Sequence, residues 1–299
     1  VRPQGTSTTD LTGDNGYNTS ATVGNYPDRN YTDDFNGTSS ATPLAAGVVA
    51  LILQANPALG WRDVREILIR SATKVTPNDA DWATNSAGFQ FNHKFGAGLI
   101  NAGAAVTLAT NNWVNLGPHT NVTYTAAGLP QPIPDNSPAG VLQTFTVTNT
   151  GFRVEHVTVT VDITHPNRGQ LQVILTSPSG MISRIAEPRT PDTNPDFQNW
   201  TFMSVHHWGE SAVGNWTVRV IDTAATDTGT LTSMSVQFFG TSAGGGGGGP
   251  GLGSFVNGSF EQPGGADAFL LNGSTLVTGW TVGGNANNQW LGASPSPLR

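Results

Sequence analysis

Cysteine is absent from all 299 residues. That excludes disulfide frameworks and thiolate metal sites, so stability must come from packing or from oxygen-ligated ions. Charge is also scarce. Lysine occurs only at Lys74 and Lys94, and charged residues make up 11% of the chain, against roughly 25% in ordinary soluble domains. The net charge is −7 and the pI about 5.2, leaving no basic stripe to neutralise phosphates, so nucleic acid is excluded as the main partner. No window approaches the ~20 apolar residues of a membrane span, and no signal peptide is visible. Because the chain begins at Val1 rather than a methionine, it reads as a piece of something longer.

Glycine, threonine and asparagine fill the space that charge leaves, the profile of a β-rich, turn-rich extracellular protein. Glycosylation sequons begin at Asn18, Asn30, Asn36, Asn121, Asn199, Asn215, Asn257 and Asn272. In so Thr/Asn-rich a chain most are expected by chance, and a bacterial secreted protein, which needs neither disulfides nor glycans, is the expected source.

The periodicity divides the chain. Residues 1–36 are polar and turn-rich. From Ser39 an almost wholly apolar run continues to Asn56-Pro57, which predicts a buried helix with Pro43 inside its first turn. Val64, Ile67, Leu68 and Ala72 predict a second helix near 61–72, and an alanine-rich stretch a third near 99–110. Three helices with almost no strand among them predict one edge of a larger α/β unit. After Trp113 the period becomes 2. Phe145, Val147, Val157, Val159 and Val161, then Leu171, Val173 and Leu175, alternate with mainly polar residues. Trp216, Val218 and Val220, and Leu231, Met234, Val236 and Phe238, continue the pattern. Turn signals at Asn149-Thr150-Gly151 and Ser177-Pro178-Ser179-Gly180 separate the runs, which predicts an antiparallel sandwich or jelly roll. Residues 243–253 are a flexible Gly-rich linker, and 254–299 begin a further β module too short to be a complete sandwich.

The segment Gly37-Thr38-Ser39-Ser40-Ala41-Thr42-Pro43 carries the chemistry. A serine where a loop becomes a helix presents its own N–H from the helix N-terminus, where the dipole favours developing negative charge. Gly37 allows a substrate backbone to approach closely. The local physics leaves an ordinary N-cap serine open as the alternative.

Gly37-Thr38-Ser39-x-Ala41-x-Pro43 resembles the serine motif of the subtilases. Thr8-Thr9-Asp10, Trp61-Arg62-Asp63-Val64, Asp81-Trp82-Ala83-Thr84-Asn85 and Gly96-Ala97-Gly98-Leu99 follow the order of the kexin/furin branch. Asn167-Arg168-Gly169-Gln170-Leu171, Trp208-Gly209-Glu210, Gly214-Asn215-Trp216 and Asp227-Thr228-Gly229-Thr230-Leu231 resemble that branch's P domain. The resemblance implies the C-terminal part of an α/β subtilisin-like catalytic domain over 1–112. An all-β, jelly-roll or galactose-binding-like P domain would follow over 113–242, then the linker at 243–253 and a truncated β module at 254–299. It implies a serine endopeptidase forming an acyl-enzyme on Ser39, with Gly37, Thr38, Ala41 and Pro43 as supporting motif, acting on protein or peptide substrates outside the cell or at its surface. A glycan on Asn36 would obstruct that site. The family's aspartate, its His-Gly-Thr histidine and its oxyanion asparagine are expected before Ser39. None of His93, His119, His156, His165, His206 and His207 precedes Ser39 or is followed by Gly-Thr. Calcium is implied, with its ligands mainly outside this chain. The competing function is a non-catalytic adhesion or carbohydrate-binding protein with a protease remnant. Asn257-Gly258-Ser259-Phe260-Glu261 with Gly279-Trp280 resembles the opening of galactose-binding-like β-sandwich modules, where the tryptophan could stack on a sugar but core packing is the default role.

Three further patterns are expected to be structural. Asp227-Thr228-Gly229 matches aspartic-protease and subtilase aspartate motifs but occurs once and after the serine, so it reads as a turn. His206-His207 would point to opposite faces of a strand. Asp192, Asp196, Glu210 and Asp222 could offer oxygens to a cation but fit no fixed loop spacing. Gln170 stands where related P domains have aspartate.

Overall fold

The computed structural model describes residues 5–111, 113–148 and 151–242, with two further strands at 280–285 and 288–293. The linker 243–253, the turn residues Asn149-Thr150 and most of the final module lie outside the described residues. The chain divides into two compact units, 1–58 with 250–299, and 59–249.

In the first unit, β1 (Thr6–Thr9) pairs antiparallel with β2 (Tyr31–Phe35). The loop between them winds around a polar centre. Asn18, 2% exposed, donates its Nδ2 to the carbonyls of Tyr26 and Tyr31 at 2.9 and 2.8 Å. Asp10 accepts the N–H groups of Leu11 and Asn18, both at 2.8 Å. Gly16 lies so close to the Asp10 carboxylate that a Cβ there would collide with it. The helix α1 (Thr38–Ala55) follows directly. It forms where the sequence places it, but only Ser40 and Ile52 are buried, so the expectation of a buried helix is corrected. A helix apolar on every side has no face suited to water, and residues 5–58 offer only one short β-pair to cover it. By length and composition α1 is also long and apolar enough to cross a membrane, where the sequence led to the expectation that no window approaches a span.

The second unit is built on two antiparallel sheets. One takes the order β10 (Ile182–Ala186), β9 (Leu171–Thr176), β12 (Gly214–Asp222), β7 (Val141–Val147). The other runs β11 (Phe197–Ser204), β8 (Phe152–Thr164), β13 (Gly229–Ser242), β5 (His119–Thr125), with β6 (Gln131–Ile133) beside β13. Alternate residues of both sheets share one core. Every apolar residue named above for the period-2 runs is buried in it, with Trp216, Val218, Val236 and Phe238 at 0% exposure.

The two remaining helices, α2 (Trp61–Ser71) and α3 (Ala102–Thr110), and the short pair β3 (Ala83–Thr84) and β4 (Gln90–Phe91) belong to this same unit. Gly60 precedes α2, and Asp63 Oδ2 reaches back to its N–H at 2.8 Å, occupying a donor that the helix start leaves free.

Candidate active site

Ser39 stands second in α1. Gly37 precedes the helix with φ +74°, a conformation that costs only glycine nothing. A Cβ on Gly37 would meet no atom within 4 Å, so backbone shape rather than crowding requires glycine here. The first turn is anchored by Gly37, whose carbonyl accepts the N–H groups of Ser40 and Ala41, both at 3.2 Å. The N–H groups of Thr38 and Ser39 lie in the part of the helix that has no intrahelical acceptor. Pro43 falls in the second turn, not the first as expected, and brings no N–H to the Ser39 carbonyl. Ser39 is exposed. Its neighbour Ser40 is 5% exposed and donates to Thr6 Oγ1 at 2.5 Å, fixing the helix start to β1. Thr42 Oγ1 donates to the Thr38 carbonyl at 2.8 Å. Among the described residues the arrangement therefore offers a free hydroxyl beside unpaired N–H donors at a positive helix end. This is the chemistry that can present a nucleophile and receive an oxyanion.

In the other unit, buried ions root α2 in the sheets. On β8 the ladder to β13 slips by one residue, with His156 opposite Phe239 and Val154 opposite Gly240. Glu155 is the extra residue of this bulge, which re-aims its side chain. Arg62 of α2 meets it with Nε on Oε2 at 2.7 Å and Nη2 on Oε1, and gives Nη1 to the Gly117 carbonyl at 2.7 Å. One turn on, Glu66 accepts Arg153 at both oxygens at 2.9 Å, Arg70 at 2.8 Å and Trp208 Nε1 at 3.1 Å. Burial would raise the Glu66 carboxyl, but Arg153, Arg70 and Trp208 outweigh it and hold it below its ordinary value. Asp63 Oδ1 accepts Trp113 Nε1 at 3.0 Å and the Leu116 N–H at 2.7 Å.

A second buried node joins the 83–91 pair to the sheets. Asn85 gives Nδ2 to the carbonyls of His206 and Trp208 at 3.0 and 2.9 Å. Glu210 accepts Ser86 N–H and Oγ at 3.0 Å, Ser179 Oγ at 2.5 Å and His207 Nδ1 at 3.1 Å. Burial pushes the Glu210 carboxyl up, yet His207, Ser179 and Ser86 hold it at about 2. His207 is fully buried, burial pushes its pKa down, and its Nε2 has no partner among the described residues.

The patterns set aside in the sequence fall within this framework. Asp227 accepts Gln170 Nε2 at 2.8 Å, and Gly229 packs against His165. Asp192 is held by Arg168 at 3.1 Å and Arg189 at 2.8 Å, Asp196 accepts the His165 N–H at 2.8 Å, and Asp222 faces His165 Nε2 at 3.3 Å. Among the described residues no three His, Asp or Glu side chains gather to hold a metal. These described side chains therefore do not by themselves supply the carboxylate cluster of a calcium site.

Residues 4–98 match the subtilase family, and residues 154–238 match the proprotein convertase P-domain, in that order along the chain. The chain belongs to the kexin branch of the subtilases. Ser39 and α1 lie inside the matched peptidase segment. This kexin-like chain is 41% identical over 211 residues to Protease KEX1 of Kluyveromyces lactis, covering 68% of this chain and 28% of that protein. It is 37% identical over 222 residues to proprotein convertase subtilisin/kexin type 5 of Homo sapiens, covering 71% of this chain and 12% of that one. Among solved structures it resembles the Aeromonas sobria serine protease in complex with the chaperone ORF2. There the TM-score is 0.69 and the identity 26%, over 79% of this chain and 51% of that one. The subtilase thus spans well under a third of these two curated relatives. A bacterial source is not supported, since those two come from Kluyveromyces lactis and Homo sapiens.

The buried acids Glu66 and Glu155 escaped the sequence reading. Glu155 left a signal, since Phe-Arg-Val-Glu-His-Val breaks the apolar alternation that resumes at Val157. Glu66 left none.

Proposed function

We propose that the complete protein is a secreted, kexin-like serine endopeptidase of the proprotein-processing kind, with Ser39 as its nucleophile. The observation that carries this reading is the exposed Ser39 hydroxyl at the start of α1, free of hydrogen bonds among the described residues and beside the unpaired N–H groups that follow Gly37. In the proposed reaction Ser39 Oγ attacks the scissile carbonyl and a base takes its proton. The Ser39 N–H donates to the oxyanion, and the amine leaves with the proton. Water then releases the acyl group from Oγ. The base, its aspartate and the oxyanion asparagine are proposed to lie outside residues 1–299. Any calcium is proposed to be bound by residues other than those described.

Residues 113–242 are proposed to act as a P domain that buttresses the peptidase segment through Arg62, Glu66 and Asn85. Residues 254–299 are proposed to begin a separate binding module.

The test is the complete protein with an intact or Ser39→Ala site, assayed on peptides carrying basic residues before the cleaved bond. The intact protein should cleave and be labelled at Ser39 by a fluorophosphonate, and Ser39→Ala should lose both properties. The expected loss in rate is about 10⁶-fold, the figure measured for triad serine removal in subtilisin, a member of this family. Undiminished turnover by Ser39→Ala would sink the assignment. An intact protein with neither turnover nor label points to the protease-remnant alternative.

A further inference from the structure

Strand β10 ends the four-stranded sheet, so one row of its backbone groups faces away from β9. An edge of that kind needs cover. An imidazole supplies it. The N–H of Arg184 donates to His93 Nε2 at 2.9 Å. The rings of His93 and His206 meet edge to face with centroids 4.5 Å apart, and His206 stacks on Phe91 at 5.2 Å. The 79–97 segment thus closes the β10 edge in place of a neighbouring strand.

Hydrogen-bond chemistry fixes the state of His93. A backbone amide can only donate, so Nε2 must offer a lone pair. The ring proton is therefore on Nδ1, which lies 3.2 Å from Asp81 Oδ2. The His93 N–H donates to the same carboxylate oxygen at 2.9 Å.

We propose that His93 is a proton-operated latch between the peptidase segment and the P domain. The neutral ring holds the 79–97 segment on the β10 edge, and a proton added at Nε2 sets donor against donor and releases it. Six charged or titratable groups surround the ring and its partners. Asp81 lies against its Nδ1, and the Arg184 guanidinium, bound to Asp81 at 2.7 Å, and the His206 ring lie beside it. Glu187 also engages Arg184, and the Lys94–Asp79 pair lies on the same segment as His93. Burial would raise the Asp81 carboxyl, but Arg184 and His93 keep it below its ordinary value, so it remains an acceptor throughout. Burial and the neighbouring His93 and His207 hold His206 at about 4, with Nδ1 unpartnered. His206 therefore stays neutral across the range in which an unperturbed imidazole gains its proton.

Hydrogen exchange at the Arg184 amide, followed by NMR on the whole chain, tests the latch. Corrected for the intrinsic rate, protection should fall about tenfold between about pH 7.5 and about pH 5, the loss expected from one hydrogen bond. Amides of the central strand β12 should keep theirs. In His93→Gln the carboxamide oxygen can still accept the amide but takes no proton, so Arg184 protection should not vary with pH. Constant protection in the unaltered protein, or the same pH dependence in His93→Gln, overturns the proposal. If His93→Gln does not fold, a single titration decides. The ¹⁵N shift of His93 Nε2 and the Arg184 amide shift must change with one midpoint, and separate midpoints refute the latch.

Discussion

Arg62→Met puts the anchoring of α2 to a quantitative test. Glu155 has no exposure and the Arg62 side chain only 9%, so removing the guanidinium leaves a carboxylate in the interior with no bidentate partner. Breaking a buried pair from one side costs about 3–5 kcal/mol, and the stranded Gly117 carbonyl adds about 1 kcal/mol. With a urea slope of about 2 kcal/mol/M, the unfolding midpoint should fall by about 2–3 M. Tryptophan fluorescence reports it directly, because Trp208 and Trp216 are both fully buried in this unit. The paired control is Arg62→Met with Glu155→Leu. Replacing both ions with apolar groups of similar volume is often neutral or better, so the double variant should recover most of the loss and retain only the Gly117 term. A single-variant loss below about 1 kcal/mol refutes the reasoning. A double variant no more stable than the single one does the same, because the penalty would then not come from an uncompensated Glu155 charge.

Acid should weaken the second unit before the carboxylates titrate. Burial first, then Arg65 and His119, lower His156 to about 4, and His206 stands at about 4 as well. A histidine whose folded pKa is depressed binds fewer protons folded than unfolded. Its contribution is therefore complete above about pH 6.5 and lost as pH falls towards about 4. Urea midpoints that stay level from about pH 7 to about pH 4.5 would contradict this. Gly169→Ala should be severe, because its Cβ would collide with the carbonyl oxygens of Asp192 and Arg189. The expected cost is about 2 kcal/mol or more, read as a lower midpoint, and a change within about 0.5 kcal/mol would mean that the 187–196 loop yields freely.

The sheets were legible because each strand buries one face, so alternation carries the fold. Val157, Val159 and Val161 on β8 and Val218 and Val220 on β12 point inward as their spacing implies. Two features resisted. The apolar run of α1 announces a helix, but sequence pattern cannot say what lies against it, and among the described residues little does. The ionic anchors were hidden for a different reason. Arg62 and Glu155 are 93 positions apart, and a charge on an amphipathic helix looks the same whether it meets water or a bulged strand. The serine motif could be read because its chemistry is local: glycine in a left-handed turn, serine at the helix start, proline shortly after.

The position of Ser39 has one more consequence. Its hydroxyl is free among the described residues, its N–H lies ahead of the helical ladder, and Pro43 brings nothing to its carbonyl. It follows the path of the helix without contributing a bond to it. Folding therefore exerts almost no preference for serine there, and alanine or another small residue would serve the helix equally well. Substitution at such a site is unopposed by stability, so the fold supplies no reason for serine there. The neighbouring Ser40, tied to Thr6, is different, since the fold itself has a reason to retain it.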